Sequence, residues 1–203
     1  MLETRAIRMH ETGGPEVLTP QSLILPNIGA DEVLIRNTVV GLNFLDTYHR
    51  SGLYPVPLPF TPGVEGVGLV DSVGAKVRHL KPGDRVAYVG AGAYAQTVKQ
   101  LGRSVVKLPG DVPDDVAAAT FLKGLTAWML LFEVSEVRPG DRLLVWAAAG
   151  GVGSLLVPWA ASLGAQVIGV VSTEEKAAKV LSKGADAVVL SDEPVVERVL
   201  ELT

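Results

Sequence analysis

The chain has 203 residues, 48% of them hydrophobic, and a formal net charge of -4 at pH 7. This hydrophobic content is sufficient for a sizeable core, and an acidic balance without Lys/Arg runs provides no field to attract nucleic acid. The sequence contains no cysteine, which excludes disulfides, a thiolate nucleophile and cysteine-bound zinc. The charged start, Met1–Gly14, lacks the apolar core of a signal peptide, so we expect a cytoplasmic protein.

The first half of the sequence consists of short alternating or apolar runs separated by turns. Glu32–Val40, Gly66–Val73 and Arg85–Val89 have the Val-rich composition of β-strands. The acidic pair Asp114-Asp115 leads into the Ala- and Leu-rich stretch Val116–Val134, and such a pair suits the positive end of a helix dipole. This half therefore indicates several strands followed by a helix.

From residue 138 onwards, strand-like and helix-like segments alternate. The predicted strands cover 142–147, 166–171 and 187–190, and the predicted helices run from the glycine loop to about 163, over 173–182 and over 194–202. Alternation at this spacing is typical of a doubly wound parallel sheet. Because three parallel strands make a poor free-standing sheet, we expect a C-terminal continuation.

The stretch from Leu143 to Val171 carries no charge and is long enough to span a membrane. Gly150, Pro158 and Gly164 divide it into short pieces, and strands buried on both faces of a parallel sheet are equally apolar. We therefore interpret it as the interior of a soluble domain with no membrane partner. Because Pro158 removes an amide donor from the predicted helix, we expect a kink or a late helix start there.

The segment Ala148-Ala149-Gly150-Gly151-Val152-Gly153 follows a predicted strand and opens a predicted helix. It matches G-x-G-x-x-G with Ala148 at the first glycine position. A pyrophosphate needs close backbone approach and free amides at a helix N-terminus, and Gly153 lets the helix lie close to the strand. The alternative is a tight strand-to-helix turn without a ligand. The strand before, the helix after and the second strand favour a dinucleotide site at Gly150, Gly151, Val152 and Gly153.

The end of the second predicted strand bears on which dinucleotide binds. An NAD-specific site would have Asp or Glu at this tip, whereas this sequence has Ser172, Thr173 and Lys176. Hydroxyls with a lysine suit the 2′-phosphate of NADPH. The alternative is that Ser172 or Thr173 only caps the next helix while Lys176 lies in solvent. Glu174 and Glu175 weigh against a phosphate, but neither lies at the strand's own tip, so we favour NADPH.

Three segments together resemble one family. Gly41–Tyr54 carries the pattern N-x-x-D-x-Y-x-R-x-G-x-Y, Pro62–Gly68 leads into a strand, and Phe121–Thr126 is followed by Ala147–Gly153. They span nearly all of the chain in the expected order. The sequence resembles the quinone oxidoreductase branch of the medium-chain dehydrogenase/reductase superfamily.

This resemblance implies an α/β protein of two domains. A β-rich, GroES-like catalytic domain is expected at 1–120. The N-terminal part of a doubly wound Rossmann dinucleotide-binding domain is expected at 121–203, with its C-terminal continuation missing. The resemblance also implies a homodimer for the full-length protein.

The resemblance further implies a protein without zinc. The zinc alcohol dehydrogenases have a cysteine at the position of Asn43 and a histidine at that of Val64, and Glu65 alone cannot hold the metal. The remaining candidates for metal ligands are histidines scattered along the chain, which we interpret as surface or packed residues: His10, His49 and His79. We therefore expect no metal site.

Residue roles are carried over from the family position by position. Asn43, Tyr48 and Arg50 are expected to be catalytic, with Asn43 and Tyr48 hydrogen-bonding the acceptor oxygen and Arg50 organising the cleft. The expected cofactor-binding residues are Asn43, Asp46, Lys123 and Thr126 at the nicotinamide end, Gly150, Gly151, Val152 and Gly153 at the diphosphate, and Ser172, Thr173 and Lys176 at the adenosine phosphate. Ser191 stands where the family often has a tyrosine that contacts the 2′-phosphate, in a loop that is one residue shorter here.

Two of these roles have plain structural alternatives. Asp46 and Arg50 are spaced to form an i,i+4 salt bridge on a helix, and Tyr48 could be a packed aromatic residue.

The resemblance implies NADPH-dependent reduction of quinones by hydride transfer without a metal. One alternative is an enoyl or enone reductase on the same scaffold, since either acceptor spreads the incoming charge over its own carbonyl. Another is a non-catalytic NADPH-binding protein, against which the joint presence of Asn43, Tyr48, Arg50 and the glycine loop argues. The expected partner is a small-molecule quinone or enone, with no nucleic acid.

Overall fold

Two antiparallel sheets form the first of two units, Met1–Phe121, in the computed structural model, which describes every residue of the chain. The smaller sheet pairs β1 (Leu2–Arg8) with β2 (Thr19–Leu25). The larger sheet contains β3 (Glu32–Val40), β4 (Glu65–Val73), β5 (Arg85–Val89), β6 (Thr97–Leu101) and β7 (Val105–Lys107), in the order β6-β3-β4-β5-β7. The predicted β-rich first half is confirmed.

Alternating apolar residues build the core of this sheet. Val33 and Ile35 of β3 are buried together with Val86 and Tyr88 of β5 and with Val98 of β6. Because successive strand residues point to opposite faces, positions two apart share a face and can fill one core. This core supports the loop and helix that follow β3.

Helix α1 (Phe44–Ser51) follows β3 directly. Its N-cap is Asn43, in an extended conformation, and its C-cap is Gly52, with a φ of 83°. Glycine adopts this left-handed conformation without a Cβ penalty, which explains the glycine of the N-x-x-D-x-Y-x-R-x-G pattern. The pattern therefore brings its polar residues onto one short helix.

Helix α2 (Asp114–Trp128) continues into a π-helical segment, Met129–Val134. Its first residue is fixed by polar contacts, since the Asp114 carboxylate accepts hydrogen bonds from the Thr38 hydroxyl at 2.6 Å and from Arg85 Nη2 at 2.5 Å. The hydrogen bond from Thr38, followed by the contact with Arg85, lowers the pKa of Asp114 below its ordinary value. The helix therefore begins at Asp114, the first residue of the acidic pair that predicts its N-terminus.

The second unit, Leu122–Thr203, contains the predicted parallel sheet. Its strands are β8 (Arg142–Trp146), β9 (Gln166–Val171) and β10 (Ala187–Leu190), in the order β10-β9-β8, and its further helices are α3 (Gly153–Ser162), α4 (Glu174–Leu181) and α5 (Val195–Leu202). Both strand pairs are parallel. The predicted Rossmann-like alternation is confirmed.

Apolar packing of α3 and α4 against one face of this sheet accounts for part of its uncharged sequence. Val145 of β8 and Val167 of β9 are buried against Val157 and Ala160 of α3 and Val180 of α4. β8 has only β9 as a partner strand, and Trp146 at its end is 61% exposed. The central strand β9 is thus the fully covered one, as its burial pattern indicates.

The stretch Leu143–Val171 is divided into β8, α3 and β9, as its glycines predict. By length and composition, residues 114–134 form a helical stretch that could cross a membrane, a criterion that the core helix of a soluble protein also meets. Of the two expectations for Pro158, the late start of α3 is wrong, whereas the kink stays a prediction. The helix begins at Gly153 and contains Pro158, and in its first turn the Ser154 amide donates to the Gly150 carbonyl at 2.8 Å.

Candidate functional site

Asn43 at the start of α1 is held through its backbone and through its side chain. Its backbone N–H donates to Asp46 Oδ2 at 2.9 Å, and the Asp46 N–H donates to the Asn43 carbonyl at 3.0 Å. Its side-chain Nδ2 donates to Glu65 Oε1 at 2.8 Å. The amide group that the sequence assigns to the acceptor oxygen is therefore fixed in orientation.

The two carboxylates that hold Asn43 are buried. Asp46 is 5% exposed and Glu65 is 1% exposed. Glu65 fits because residue 41 is a glycine, since a Cβ built there would lie 2.3 Å from Glu65 Oε1. Burial of a carboxylate costs free energy unless the carboxylate is hydrogen-bonded. The hydrogen bonds from Asn43 therefore help to stabilise Asp46 and Glu65 in their buried positions.

Tyr94 is a further residue of this cluster, and sequence reasoning missed it. Its hydroxyl donates to Asp46 Oδ2 at 2.9 Å. Burial, and then the hydrogen bond to Asp46 and its negative charge, raise the pKa of Tyr94 above its ordinary value. No local pattern in the sequence indicates this contact, which depends on Gly63, because a Cβ at this glycine would lie 2.5 Å from Tyr94 Cδ1. Glu65 was considered in the sequence only as a zinc ligand.

Tyr48 lies in a row of aromatic rings on the surface of the first unit. Its ring centroid is 5.3 Å from that of Tyr54 and 6.5 Å from that of Phe44. Phe44 is 80% exposed and Tyr54 is 51% exposed. The ring of Tyr48 thus packs against other aromatic rings, as the alternative to a catalytic role expects. The exposed rings beside it form an aromatic surface that a planar molecule can contact.

The expected salt bridge between Asp46 and Arg50 does not form. Asp46 Oδ1 and Arg50 Nε are both buried and have no hydrogen-bond partner. The other carboxylate oxygen, Oδ2 of Asp46, accepts from Asn43 and Tyr94. The i,i+4 alternative for this pair is therefore wrong.

The structure brings no metal-ligating cluster together. No group of three or more His, Cys, Asp or Glu side chains has a geometry that could hold a metal ion. The histidines have separate environments: His10 contacts Gln21, His49 packs edge-on against Phe60, and His79 contacts the Gly102 carbonyl.

A pocket of ≈ 590 Å³ lies beside this cluster in the first unit. Tyr94 lines it together with Gly41 and Leu42, which precede Asn43 in the chain. None of the predicted site residues is in its wall. We therefore do not assign the acceptor to this pocket.

In the second unit, the glycine loop connects β8 to α3 with very close backbone contacts. A Cβ at Gly153 would lie 2.6 Å from the carbonyl oxygens of Ala147 and Ala148. Ala147 itself has a φ of 51°, and its carbonyl accepts from the Gly150 amide at 2.7 Å. The loop therefore makes its turn with little space for side chains, which leaves backbone amides near the start of α3.

Lys123 of α2 lies across this loop. A Cβ at Gly151 would be 3.1 Å from Lys123 Cδ, so the glycine leaves room for the lysine stem. Thr126, one turn further along α2, donates its hydroxyl to the Leu122 carbonyl at 3.0 Å. Val152 is the N-cap of α3 and already has helical backbone angles.

A pocket of ≈ 300 Å³ lies where β8, β9 and β10 end. The predicted residues in its wall are Gly150, Ser172, Lys176 and Ser191. Within it, Lys176 Nζ donates to Ser172 Oγ at 2.7 Å. The geometry thus brings the glycine loop, two serines and a lysine to one cavity, at the strand ends where open α/β sheets bind ligands.

Two neighbours of this pocket have structural roles. Thr173 caps α4, its side chain accepting from the Lys176 backbone N–H at 3.3 Å, as the capping alternative expected. Glu175 pairs with Lys179 at 2.7 Å, and the hydrogen bond from that lysine lowers the pKa of Glu175. Glu175, one of the two acidic residues that weigh against a phosphate, is therefore paired with a nearby cation.

The fold and the glycine loop resemble those of medium-chain dehydrogenases/reductases. A model of the alcohol dehydrogenase GroES-like domain matches residues 29–110, and a model described as zinc-binding dehydrogenase matches residues 151–203. Asn43, directly before α1, and Val64, directly before β4, stand where the resemblance implies that zinc members have ligands.

Individual relatives with known names indicate a narrower class of protein than the two family models do. Quinone oxidoreductase 1 of Escherichia coli is 43% identical over 97% of this chain and 62% of its own length, and quinone oxidoreductase of Pseudomonas aeruginosa is 46% identical over 98% and 62%. The crystal structure of the Pseudomonas syringae quinone oxidoreductase matches with a TM-score of 0.95 at 47% identity, over 98% of this chain and 62% of that one. The E. coli enzyme complexed with NADPH matches with a TM-score of 0.91 at 42% identity, over the same shares.

The chain is similar to these quinone oxidoreductases over nearly its whole length. It spans 62% of the length of these relatives.

The close contact at Gly153 predicts the effect of a single methyl group. Gly153→Ala should lower the free energy of unfolding by about 1–3 kcal/mol, because its Cβ must displace two carbonyl oxygens. Gly124→Ala is the matched control, since nothing lies within 4 Å of its Cβ inside α2. The control should raise the free energy of unfolding by up to about 1 kcal/mol through helix propensity. Urea denaturation followed by circular dichroism measures both, and equal effects of the two variants would contradict the assigned role.

Proposed function

We propose that the chain is the larger part of an NADPH-dependent quinone reductase that transfers hydride without a metal. One observation carries this proposal: the glycine loop, Ser172, Lys176 and Ser191 line one cavity at the strand ends. Relatives from E. coli and from a mycobacterium have been solved in complex with NADPH, which supports the choice of this dinucleotide.

The residues present fit NADPH. Gly150 and Gly151 leave the backbone uncovered near the N-terminus of α3, where amides and the helix dipole favour a diphosphate, and Gly153 lets this helix pack closely on the end of β8. Lys176 adds a full positive charge beside the hydroxyl of Ser172, and Ser191 adds a further hydroxyl in the same wall. A lysine with hydroxyls is suitable for a 2′-phosphate because it supplies charge and donors together.

NADPH, when bound, supplies the hydride, and the quinone takes up that hydride together with a proton to give a hydroquinone. Asn43 holds and orients the acceptor oxygen through its amide, which Asp46 and Glu65 keep in place. Tyr48 offers a hydroxyl to the same oxygen, and the neighbouring rings of Phe44 and Tyr54 contact the plane of the acceptor. Lys123 and Thr126 bind the nicotinamide end of the cofactor, and Arg50 helps to organise the residues around the acceptor.

The proposal extends to properties of the whole protein. The substitution of zinc-ligand positions by Asn43 and Val64, together with the lack of a metal-ligating cluster, supports zinc-independent chemistry. A cytoplasmic location and a homodimer are further parts of the proposal, which the family resemblance supports.

The activity is tested by following the loss of NADPH absorbance with 1,4-benzoquinone and, separately, with an acyclic conjugated enone. We expect turnover of the quinone at a rate that a chelator such as EDTA leaves unchanged. Faster turnover of the enone would assign the site to enone reduction. Tight NADPH binding with no turnover of either acceptor would indicate a binding protein, and loss of activity on chelation would refute zinc independence.

The phosphate-binding role of Lys176 is tested by its removal. Lys176→Ala should raise the KM for NADPH by about tenfold or more, since the loss of one charge-assisted contact is worth about 1.4 kcal/mol or more, and should leave the KM for NADH within about twofold. Lys179→Ala is the matched control, because that lysine lies on the same helix but pairs with Glu175 outside the pocket. Equal changes in both KM values on Lys176→Ala would exclude the phosphate role.

A further inference from the structure

One carboxylate oxygen connects two parts of the first unit that are distant in sequence. Asp46 Oδ2 accepts the backbone N–H of Asn43 and the hydroxyl of Tyr94, each at 2.9 Å. Asp46 is 5% exposed and its other oxygen has no partner. These two donors are therefore the hydrogen bonds that compensate for the burial of this carboxylate, and the loss of either leaves a buried anion poorly solvated.

The position of Tyr94 is fixed by its own surroundings rather than by α1. Its backbone N–H donates to the Pro62 carbonyl at 2.9 Å, and the Ala93 N–H donates to the Gly63 carbonyl at 3.1 Å. Gly63 has a φ of 92° and leaves the space that the Tyr94 ring occupies. The hydroxyl of Tyr94 is thus held at a set place against which Asp46 can be oriented.

The same segment also supplies the second contact to Asn43. Glu65 follows Gly63 closely in the chain and accepts from the Asn43 side-chain amide at 2.8 Å. The backbone and the side chain of Asn43 are therefore both fixed to the segment that begins at Pro62, one through Asp46 and Tyr94 and the other through Glu65. A shift of about 1 Å in a group that orients a substrate can cost about a hundredfold in rate, which gives such a clamp a function.

We propose that Tyr94 is a positioning residue that acts through Asp46 to fix Asn43 in the orientation needed by the acceptor. This inference deepens the proposed function and rests on it for the role of Asn43. The hydrogen-bond linkage itself does not depend on that role, so it is measured separately from turnover.

The first test is Tyr94→Phe, which removes only the hydroxyl. Tyr88→Phe is the matched control, because Tyr88 is also buried and donates its hydroxyl to Asn37 Oδ1 at 3.0 Å rather than to Asp46. In ¹H–¹⁵N spectra of the chain, Tyr94→Phe should shift the backbone and side-chain amide signals of Asn43, whereas Tyr88→Phe should leave both in place. Unchanged Asn43 signals in Tyr94→Phe would overturn the proposal.

The second test separates positioning from general stability. Tyr94→Phe should lower kcat for the quinone by about tenfold while the KM for NADPH stays within about twofold, and Tyr88→Phe should change neither at a temperature where both variants are folded. Equal losses of kcat in the two variants would assign Tyr94 a merely structural role. If the unmodified chain shows no turnover, the proposed function fails while the spectra still decide the linkage.

A measurement on the unmodified chain covers the case in which Tyr94→Phe does not fold. Two protons donated to the same oxygen lie close together, so a slowly exchanging Tyr94 hydroxyl proton should give a nuclear Overhauser effect to the Asn43 amide proton. The absence of a protected hydroxyl proton would overturn the proposal without any variant.

Discussion

The contact between the end of β8 and the first turn of α3 is the constraint on which the candidate cofactor site depends. Gly153 lies so close to the carbonyl oxygens of Ala147 and Ala148 that no side chain fits. This contact brings the N-terminus of a helix to the end of a parallel sheet, where its amides and dipole favour an anion. Gly151 then admits the stem of Lys123, and the ends of β9 and β10 add Ser172 and Ser191.

The acceptor side follows from a different constraint, the burial of two carboxylates. Asp46 and Glu65 fix the residue at position 43, because each accepts a hydrogen bond from one of its N–H groups. Zinc members of the superfamily, as the resemblance implies, use position 43 to hold the metal. Here the same place in the fold presents an oriented amide, which fits an acceptor whose own carbonyl system can spread negative charge.

Local patterns were sufficient for some elements and not for others. The alternation from residue 138 predicts β9 as 166–171, and the structure has Gln166–Val171, because a strand covered on both faces is an apolar run bounded by turns. Spacing predicts an Asp46–Arg50 ion pair that does not form, and Asp46 Oδ2 instead accepts a hydrogen bond from Tyr94, 48 residues further on. That contact follows from the register of the sheet and from space at Gly63, and neither can be read from local spacing. The same limit applies to Thr173, whose hydroxyl suits a phosphate and a helix cap equally well.

The central claim is that the glycine loop and the pocket beside Lys176 bind a reduced pyridine dinucleotide with preference for the 2′-phosphate. Isothermal titration of the unmodified chain with NADPH and with NADH tests this directly. The account predicts saturable binding of NADPH with one site per chain, a higher melting temperature in its presence, and weaker binding of NADH. Absence of heat and of any change in melting temperature with either dinucleotide would contradict it.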